Sequence, residues 1–250
     1  MKSSNVRNFE LFLERCSIGT CVFILNGCGD GAPISAPLSG YIEAAISELA
    51  PCPTSENQAT WSNCVGRYTE PNGTEYVGEF SDGLASGQGT GTDINGNQYV
   101  GEWVNGQSSG QGTMSFPNGD RYIGQFSNGE FSGQGTFTNA EGEQWIVEWR
   151  NGAPNGLGTQ TFADGRVYVG EFRDGEFNGQ GRFTIPSGTE YVGEFSNGKA
   201  NGHGTVIDAN GNQYVGEWRD GEFNGQGTLT TPDGVVWEGQ WRNSAFVEGN

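Results

Sequence analysis

The stretch YVGEF at residues 76–80 returns seven more times along the chain, each time 23 residues further on. The returns are YVGEW at 99, YIGQF at 122, WIVEW at 145, YVGEF at 168 and 191, YVGEW at 214 and WEGQW at 237. A period of this length is typical of repeat proteins, in which each unit becomes stable only by stacking on its neighbours. The sequence therefore predicts one solenoid-like domain over residues 76–250.

Two turn signals divide each repeat. With the first aromatic residue counted as position 1, positions 7 and 8 are usually Asn-Gly or Asp-Gly, as in Asn105-Gly106. A similar dipeptide often follows at positions 20 and 21, as in Asn95-Gly96. Such dipeptides favour tight turns between strands. Two turns in 23 residues leave room for two short strands, so the pattern predicts an all-β chain of eight stacked β-hairpins.

Residue alternation predicts which side chains share a face of the sheet. Positions 1, 3 and 5 read aromatic, Gly, aromatic, whereas the Val and Glu at positions 2 and 4 take the opposite face. We expect the glycines to let an aromatic ring of the neighbouring repeat lie against the backbone. The second strand, typified by residues 133–138, adds an apolar residue at position 16. The phenylalanines at position 10 are expected to fold in from the connecting loop; they are Phe131, Phe177, Phe223 and Phe246.

The repeated unit Y-x-G-E-W/F-x-x-G-x-x-x-G-x-G resembles the MORN repeat (membrane occupation and recognition nexus), and the resemblance covers residues 64–250. It implies an elongated, twisted, single-layer antiparallel sheet of hairpins with a groove lined by aromatic rings. The chain departs from the pattern at Val147, which replaces the position-3 glycine. It departs again at Ser244 and Glu248 in the last unit, which ends before its second strand. These departures affect local packing rather than the fold.

Two functions fit this interpretation. The resemblance implies a non-catalytic scaffold or protein-interaction module, because MORN repeats in other proteins serve as scaffolds and have been linked with membranes. The alternative is a module that binds a saccharide or a cell-envelope polymer, since aromatic rings spaced along a groove suit sugar rings. For both, the expected contact surface is the aromatic face. It comprises Tyr76, Phe80, Tyr99, Trp103, Tyr122, Phe126, Trp145, Trp149, Tyr168, Phe172, Tyr191, Phe195, Tyr214, Trp218, Trp237, Trp241, Phe131, Phe177 and Phe223.

The charge balance limits the partners. The chain has 30 acidic and 12 basic side chains, a net charge of −18. This argues against nucleic acid and anionic lipid head groups, because both are negatively charged. Cation binding would need the position-4 glutamates to share an ion, but successive repeats place them roughly 10 Å apart. These glutamates are Glu79, Glu102, Glu148, Glu171, Glu194 and Glu217.

Other candidates for chemistry are equally weak. The Asp-x-Asn-Gly-Asn runs that begin at Asp93 and Asp208 lack the spacing of a calcium loop. The single histidine, His203, stands at position 13, where five other repeats have Gln. No nucleophile elbow, CxxC pair or phosphate loop occurs in the repeats. We therefore expect no catalytic residues, no metal site and no cofactor, and we expect that the protein is not an enzyme.

Residues 1–28 have a different composition. An uncharged, largely apolar run at 16–27 follows a weakly basic start, and it is too short to span a bilayer but suits a signal segment. Its end, Leu25-Asn26-Gly27-Cys28, resembles the lipobox of bacterial lipoproteins, in which the cysteine is lipidated. This implies a membrane anchor on Cys28 at the periplasmic side of a bacterial cell envelope. A signal peptide cut near Gly27, giving a secreted protein, and a cytoplasmic chain with a buried N-terminal segment remain alternatives.

A cap is expected between the signal segment and the repeats. Residues 29–39 read as a flexible linker, and 40–63 as a cap with a short helix over 41–49. Once Cys16 and Cys21 are removed with the signal and Cys28 carries lipid, Cys52 and Cys64 remain as one pair. A disulfide between them would hold the segment that covers the open edge of the first hairpin. The expected partners are a protein of unknown identity and, through the lipid, a membrane.

Overall fold

The computed structural model describes residues 49–54 and 57–247. The predicted signal segment with Cys28, the linker, residues 41–48 of the predicted helix, and Glu248 lie outside the described residues. The described chain divides into two compact units, the first ending at Ala153 and the second beginning at Pro154. Within the described residues the helical structure is one 3-10 turn, Gln58–Thr60. No helix among them is long and apolar enough to cross a membrane.

The first unit is a succession of short strands. They are β1 (Ala50–Pro51), β2 (Cys64–Thr69), β3 (Glu75–Ser81), β4 (Leu84–Thr92), β5 (Gln98–Val104), β6 (Gln107–Ser115), β7 (Arg121–Ser127), β8 (Glu130–Thr138) and β9 (Gln144–Arg150). The pair β1–β2 is parallel, and from β2 to β9 each strand pairs antiparallel with the next. The predicted all-β hairpin fold is therefore confirmed in this unit.

The second unit repeats the arrangement. Its strands are β10 (Ala153–Thr161), β11 (Val167–Arg173), β12 (Glu176–Thr184), β13 (Glu190–Ser196), β14 (Lys199–Ile207), β15 (Gln213–Arg219), β16 (Glu222–Thr230), β17 (Val236–Arg242) and β18 (Ala245–Val247). Each strand pairs antiparallel with the next. Both units thus have the meander that a chain of hairpins produces.

The turns within the hairpins form where the Asn-Gly and Asp-Gly dipeptides predict them. Asn105 and Gly106 have φ values of 49° and 80°, the left-handed conformation that a two-residue type I′ turn requires at both positions. Every described residue at position 7 repeats this, with Asn or Asp at φ between 48° and 52°. Asn and Asp tolerate this conformation better than other residues with a Cβ atom, which explains their recurrence.

Six of the hairpins contain a bulge that the alternation pattern does not predict: β3–β4, β5–β6, β7–β8, β11–β12, β13–β14 and β15–β16. In β11 and β12, Gly170 pairs with Gly181, but the next pair is Glu171 with Asn178. Gly179 and Gln180 are therefore extra residues on β12, although they pair in register with β13 on the other side. Bulges bend the longer strand and re-aim its side chains. Glycine at position 12 suits the bend, because Gly179 has φ +62°.

The N-terminal cap contains the predicted disulfide. Cys52 and Cys64 are bonded, with Cα atoms 4.9 Å apart. Both cysteines are buried with Tyr76 and Phe80, and the Trp61 ring packs edge-on against Phe80 with centroids 5.0 Å apart. Strand β2 pairs with β3 and forms a half-repeat ahead of the first complete hairpin. The disulfide and Trp61 therefore cover the side of the first hairpin that has no preceding repeat.

Space rather than backbone conformation requires the glycine at position 14. A Cβ atom on Gly135 would lie 2.1 Å from the hydroxyl oxygen of Tyr122. We expect Gly135→Ala to lower the free energy of unfolding by about 3 kcal/mol, the upper part of the range for overpacking. Urea denaturation followed by circular dichroism measures it.

A matched control is the turn glycine Gly129. Its φ is +84° and nothing lies within 4 Å of an added Cβ atom, so Gly129→Ala meets only left-handed backbone strain of about 1–2 kcal/mol. Equal losses in the two variants would contradict the close contact between Tyr122 and Gly135.

Candidate functional site

The position-1 tyrosines lie over the glycine pair of their own hairpin. Tyr122 contacts Gly124 on its own strand and Gly135 on the next, since an added Cβ atom at either would lie within 2.7 Å of the Tyr122 hydroxyl. The analogous contacts recur in five other repeats. The prediction that a ring of the neighbouring repeat fills this space is therefore wrong: the ring belongs to the same repeat. The hairpin brings the second strand back beside the first, so the Tyr122 ring on the first strand reaches Gly135 on the second.

The hydroxyl of each of these tyrosines is anchored to the backbone. Tyr122 Oη donates to the carbonyl oxygen of Gln125 at 2.9 Å, and the other five donate to the position-4 carbonyl at 2.8–3.0 Å. Burial raises the pKa of all six tyrosines, and in five of them a nearby Glu carboxylate raises it further. The phenols therefore remain neutral donors at physiological pH.

The position-5 ring of the next repeat makes a further contact with the glycine-rich second strand of the preceding repeat. Trp103 lies against Gly91 of the preceding repeat, where an added Cβ atom would be 2.7 Å from the indole. Its Nε1 donates to the carbonyl oxygen of Gly89 at 3.1 Å. Trp218 and Trp241 make the same hydrogen bond, to Gly204 and Gly227. These hydrogen bonds join successive repeats within each unit.

The position-10 phenylalanines are strand residues, so the prediction that they fold in from a loop is wrong. Phe131 lies in β8, Phe177 in β12 and Phe223 in β16. Each stacks face to face on the tyrosine of its own repeat, with centroids 3.7–4.0 Å apart. Phe246 likewise lies in β18, which pairs with β17, so the prediction that the last unit ends before its second strand is wrong. A two-residue turn at positions 7 and 8 starts the second strand at position 9, which places position 10 inside the strand.

The residues predicted to form a binding face are, in the structure, mostly core. Tyr122, Tyr168 and Tyr214 are fully buried, and most of the others are at most 8% exposed. Trp103, Phe131 and Trp237 are half-buried. The rings are brought together as predicted, but they pack on one another and on glycine backbone. Little ring surface is left for a ligand, which sequence alternation alone could not reveal.

The departure at Val147 is accommodated inside this core. Val147 pairs with Gly135 and is fully buried. Its repeat has Trp145 in place of the tyrosine and Trp149 at position 5, and both are buried as well. In this repeat a valine and a tryptophan replace the usual glycine and tyrosine, and strand β9 keeps its register with β8.

The position-4 glutamates on the opposite face have a structural role. Glu194 Oε1 accepts a hydrogen bond from the backbone N–H of His203 at 2.8 Å. Glu79, Glu102, Glu171 and Glu217 accept from the position-13 N–H of their own repeats at 2.8–3.1 Å. These N–H groups belong to the bulge, which disrupts the ladder and needs other acceptors. The sequence predicts the row of carboxylates but not the position-13 N–H groups that they accept from.

The aspartates that begin the two Asp-x-Asn-Gly-Asn runs accept hydrogen bonds from backbone N–H groups of their own turns. Asp93 Oδ1 accepts from the N–H groups of Asn95 and Asn97 at 2.8 and 2.9 Å. Partial burial raises the pKa of Asp93, but the hydrogen bonds from Asn97 and Asn95 outweigh it and the net pKa is lowered. Asp208 makes the same contacts with Asn210 and Asn212. Among residues 49–54 and 57–247, no cluster of three potential metal ligands occurs.

Replacing one position-4 glutamate tests its role at the bulge. We expect Glu194→Ala to lower the free energy of unfolding by about 1 kcal/mol, because the His203 N–H loses its acceptor. Glu194→Gln keeps an acceptor oxygen, and Gln125 and Gln240 stand at this position in the chain itself. It should therefore be nearly neutral. Thermal unfolding and amide exchange at His203 measure both, and equal effects would contradict the assigned hydrogen bond.

Comparison with solved structures finds low similarity. The TCP domain of SAS-4 (dCPAP) from Drosophila melanogaster, solved with a proline-rich motif of Ana2, is 15% identical over 77% of this chain and 97% of that chain, with a TM-score of 0.38. The G-box domain of the microcephaly protein CPAP is 14% identical over 71% and 99%, also with a TM-score of 0.38. Virginiamycin B lyase from Staphylococcus aureus has a TM-score of 0.15, with 12% identity over 76% and 72%. No curated protein sequence matches the chain significantly.

The sequence match to a family is extensive. The MORN repeat matches seven stretches, at residues 76–98, 99–121, 122–144, 148–165, 168–190, 191–213 and 214–236. The fourth stretch begins directly after Val147, which is the departure noted above. These stretches coincide with the hairpins and span more than half of the chain. The chain therefore belongs to the MORN repeat family.

Proposed function

We propose that the chain is a non-catalytic scaffold that binds a protein partner and is tethered to a membrane through its N-terminus. The supporting observation is that the recurring residues hold the hairpins together. These residues are the tyrosines, the glycine pairs, the position-5 and position-10 rings and the position-4 glutamates. What remains exposed is a sheet face that repeats with the hairpins, and repeat proteins use such extended faces for binding other chains.

The membrane tether rests on the N-terminal sequence. The apolar run at 16–27 and Cys28 carry the proposal of a lipid anchor at the periplasmic side of a bacterial envelope. The Cys52–Cys64 disulfide supports a location outside the cytosol, because structural disulfides persist in oxidising compartments.

Burial of the rings bears on the alternative function. Binding of a saccharide by stacking needs an exposed ring face. Of the rings assigned to the groove, only Trp103, Phe131 and Trp237 are partly exposed, and the others are buried. No observation in the described residues therefore favours saccharide or envelope-polymer binding over protein interaction.

Purification of the full-length chain from its native host tests the proposal. We expect the tagged chain to sediment with membranes and, after mild detergent extraction, to retain at least one protein in a near-stoichiometric ratio. Quantitative mass spectrometry measures both the ratio and the modification of Cys28.

The matched control is Cys28→Ser. This variant should lose membrane sedimentation but keep the partner, because Cys28 precedes the repeats in the sequence and the substitution changes none of their residues. A chain that stays with membranes despite Cys28→Ser would contradict the tether. A chain that purifies alone even after chemical crosslinking would contradict the scaffold.

A further inference from the structure

Strand β17 is paired over most of its length on one side but over only three residues on the other. It pairs with β16 from Val236 to Trp241, whereas the three-residue strand β18 faces it only from Gln240 to Arg242. Among the residues that the structure describes, no strand lies beside residues 236–239 on this second side. These four residues, Val236, Trp237, Glu238 and Gly239, are called the free edge below.

The backbone of the free edge presents hydrogen-bonding groups away from the sheet. The two-residue turn after Arg242 makes Arg242 and Ala245 a hydrogen-bonded pair. Because these groups alternate in direction along a strand, Val236 and Glu238 point their N–H and C=O groups to the same side as Arg242. Trp237 and Gly239 point theirs to β16. An edge of this kind readily accepts a further strand.

The other hairpins of the second unit show which residues pair with this edge. Positions 3, 2 and 1 of the first strand face positions 14, 15 and 16 of the second strand. Those second-strand positions hold Gly, then Thr or Arg, then an apolar residue, as in 181–183, 204–206 and 227–229. In this register residues 248–250, which lie outside the described residues, hold positions 12–14. The places opposite Glu238 and Trp237 belong to positions 15 and 16.

Two residues of the free edge lack the contacts that their counterparts make. Trp237 is partly exposed, whereas the position-1 tyrosines of the second unit, Tyr168, Tyr191 and Tyr214, are at most 1% exposed. A Cβ atom on Gly239 would meet only the Phe246 ring within 4 Å. At the other position-3 glycines of this unit it would lie 2.5–2.6 Å from the Cα atom of the second strand. A strand with a small and an apolar residue therefore fits beside Gly239 and Trp237.

Glu238 adds a charge to this edge. It stands at position 2, where the three preceding repeats have valine, and it is exposed. Its neighbours on the same face are uncharged; they are Val236, Gln240, Thr228, Gln226 and Thr230. The nearest cation on its own strand, Arg242, is four residues away, about 14 Å. Within the described residues Glu238 forms no ion pair.

The residue opposite Glu238 is therefore best matched by a cation. Opposite charges directly across two antiparallel strands are favourable, and like charges are unfavourable. Position 15 also accommodates a basic side chain in this fold, because Arg182 occupies it in β12.

We propose that the free edge binds an extended segment of a partner protein as an additional antiparallel strand. The segment has a small residue opposite Gly239, a lysine or arginine opposite Glu238 and an apolar residue opposite Trp237. Backbone hydrogen bonds to Val236 and Glu238 hold it, and its alternate side chains determine specificity. This site is separate from the sheet face of the proposed scaffold function, so either can fail without the other.

A second copy of the chain is a poorer match for this edge. Its own strands of the required pattern in the second unit, β12, β14 and β16, are each paired on both sides. Two chains that each have a net charge of −18 also repel one another. The matching occupant is therefore a different protein with a basic extended segment.

A peptide taken from the chain itself tests the proposal on the full-length protein. The probe is Gly-Arg-Phe-Thr-Ile, the sequence of residues 181–185, with both ends blocked. At about 5 mM peptide we expect exchange of the Glu238 N–H to slow at least about threefold, which corresponds to a Kd of about 2.5 mM or tighter. The Trp237 and Gly239 N–H groups should change little, because they already bond to β16. Amide-resolved hydrogen exchange by NMR measures all three, and unchanged exchange at Glu238 would overturn the proposal.

A second peptide, Gly-Glu-Phe-Thr-Ile, tests the selection of a cation. It places a like charge opposite Glu238, so we expect it to bind at least about threefold more weakly. Titration of the Trp237 indole N–H resonance measures both affinities. Equal affinities would refute the proposed match to Glu238.

Two variants at one position locate the site. Glu238→Pro removes the outward N–H but leaves the pairing with β16, because proline is tolerated where the N–H of an edge strand faces solvent. It should abolish binding of the first peptide, while protection of the Trp237 and Gly239 amides shows that β17 stays in the sheet. The matched control Glu238→Gln keeps the N–H and should bind both peptides equally. Unchanged binding by Glu238→Pro would place the peptide elsewhere and overturn the proposal.

Analytical ultracentrifugation of the same samples tests the second copy as occupant. We expect the unchanged chain without peptide to sediment as a monomer. A dimer that Glu238→Pro dissociates would assign the free edge to a second copy, contrary to the proposal.

Discussion

The contact between one tyrosine and two glycines is the constraint on which the repeats depend. The ring lies over the position-3 and position-14 glycines, and its hydroxyl donates to the position-4 carbonyl, as Tyr122 does over Gly124 and Gly135. A Cβ atom at either glycine would collide with the ring. Beyond the glycine pair the second strand bulges, and the position-4 carboxylate supplies the acceptor that the bulge needs. One buried ring thereby accounts for glycine at two positions, and the bulge accounts for the acceptor side chain at position 4.

This arrangement determines which surface is available for function. The rings that resemble a binding groove supply instead the apolar burial that a sheet with few aliphatic residues needs, because aromatic side chains bury large areas. Trp103, Trp218 and Trp241 also hydrogen-bond to the backbone of the preceding repeat. The opposite face is the one that leaves apolar side chains exposed. There the exposed valines of the second unit lie beside carboxylates that are already held in place by the bulge.

Much of the fold follows from the sequence, because turn chemistry and periodicity are local. Asn105-Gly106 predicts its turn, and Cys52 and Cys64 predict their disulfide. The bulge was missed because strict alternation has no place for two extra residues such as Gly179 and Gln180. For the same reason Phe131 was predicted to lie in a loop. The two-residue turn at Asn128-Gly129 instead starts the strand at Glu130. Whether rings face solvent or one another depends on packing between strands, which one sequence does not reveal.

Alkaline titration of the tyrosines tests the central contact most directly. Burial raises the folded-state pKa of six tyrosines above the ordinary value of 10.0. Because the folded-state pKa is the higher one, this contribution to stability is complete below pH 10 and is lost as the pH rises further. We predict that the phenolate absorbance of these six tyrosines appears well above pH 10 and together with the loss of β-sheet circular dichroism. Ionisation of all tyrosines near pH 10 with the sheet intact would contradict the account.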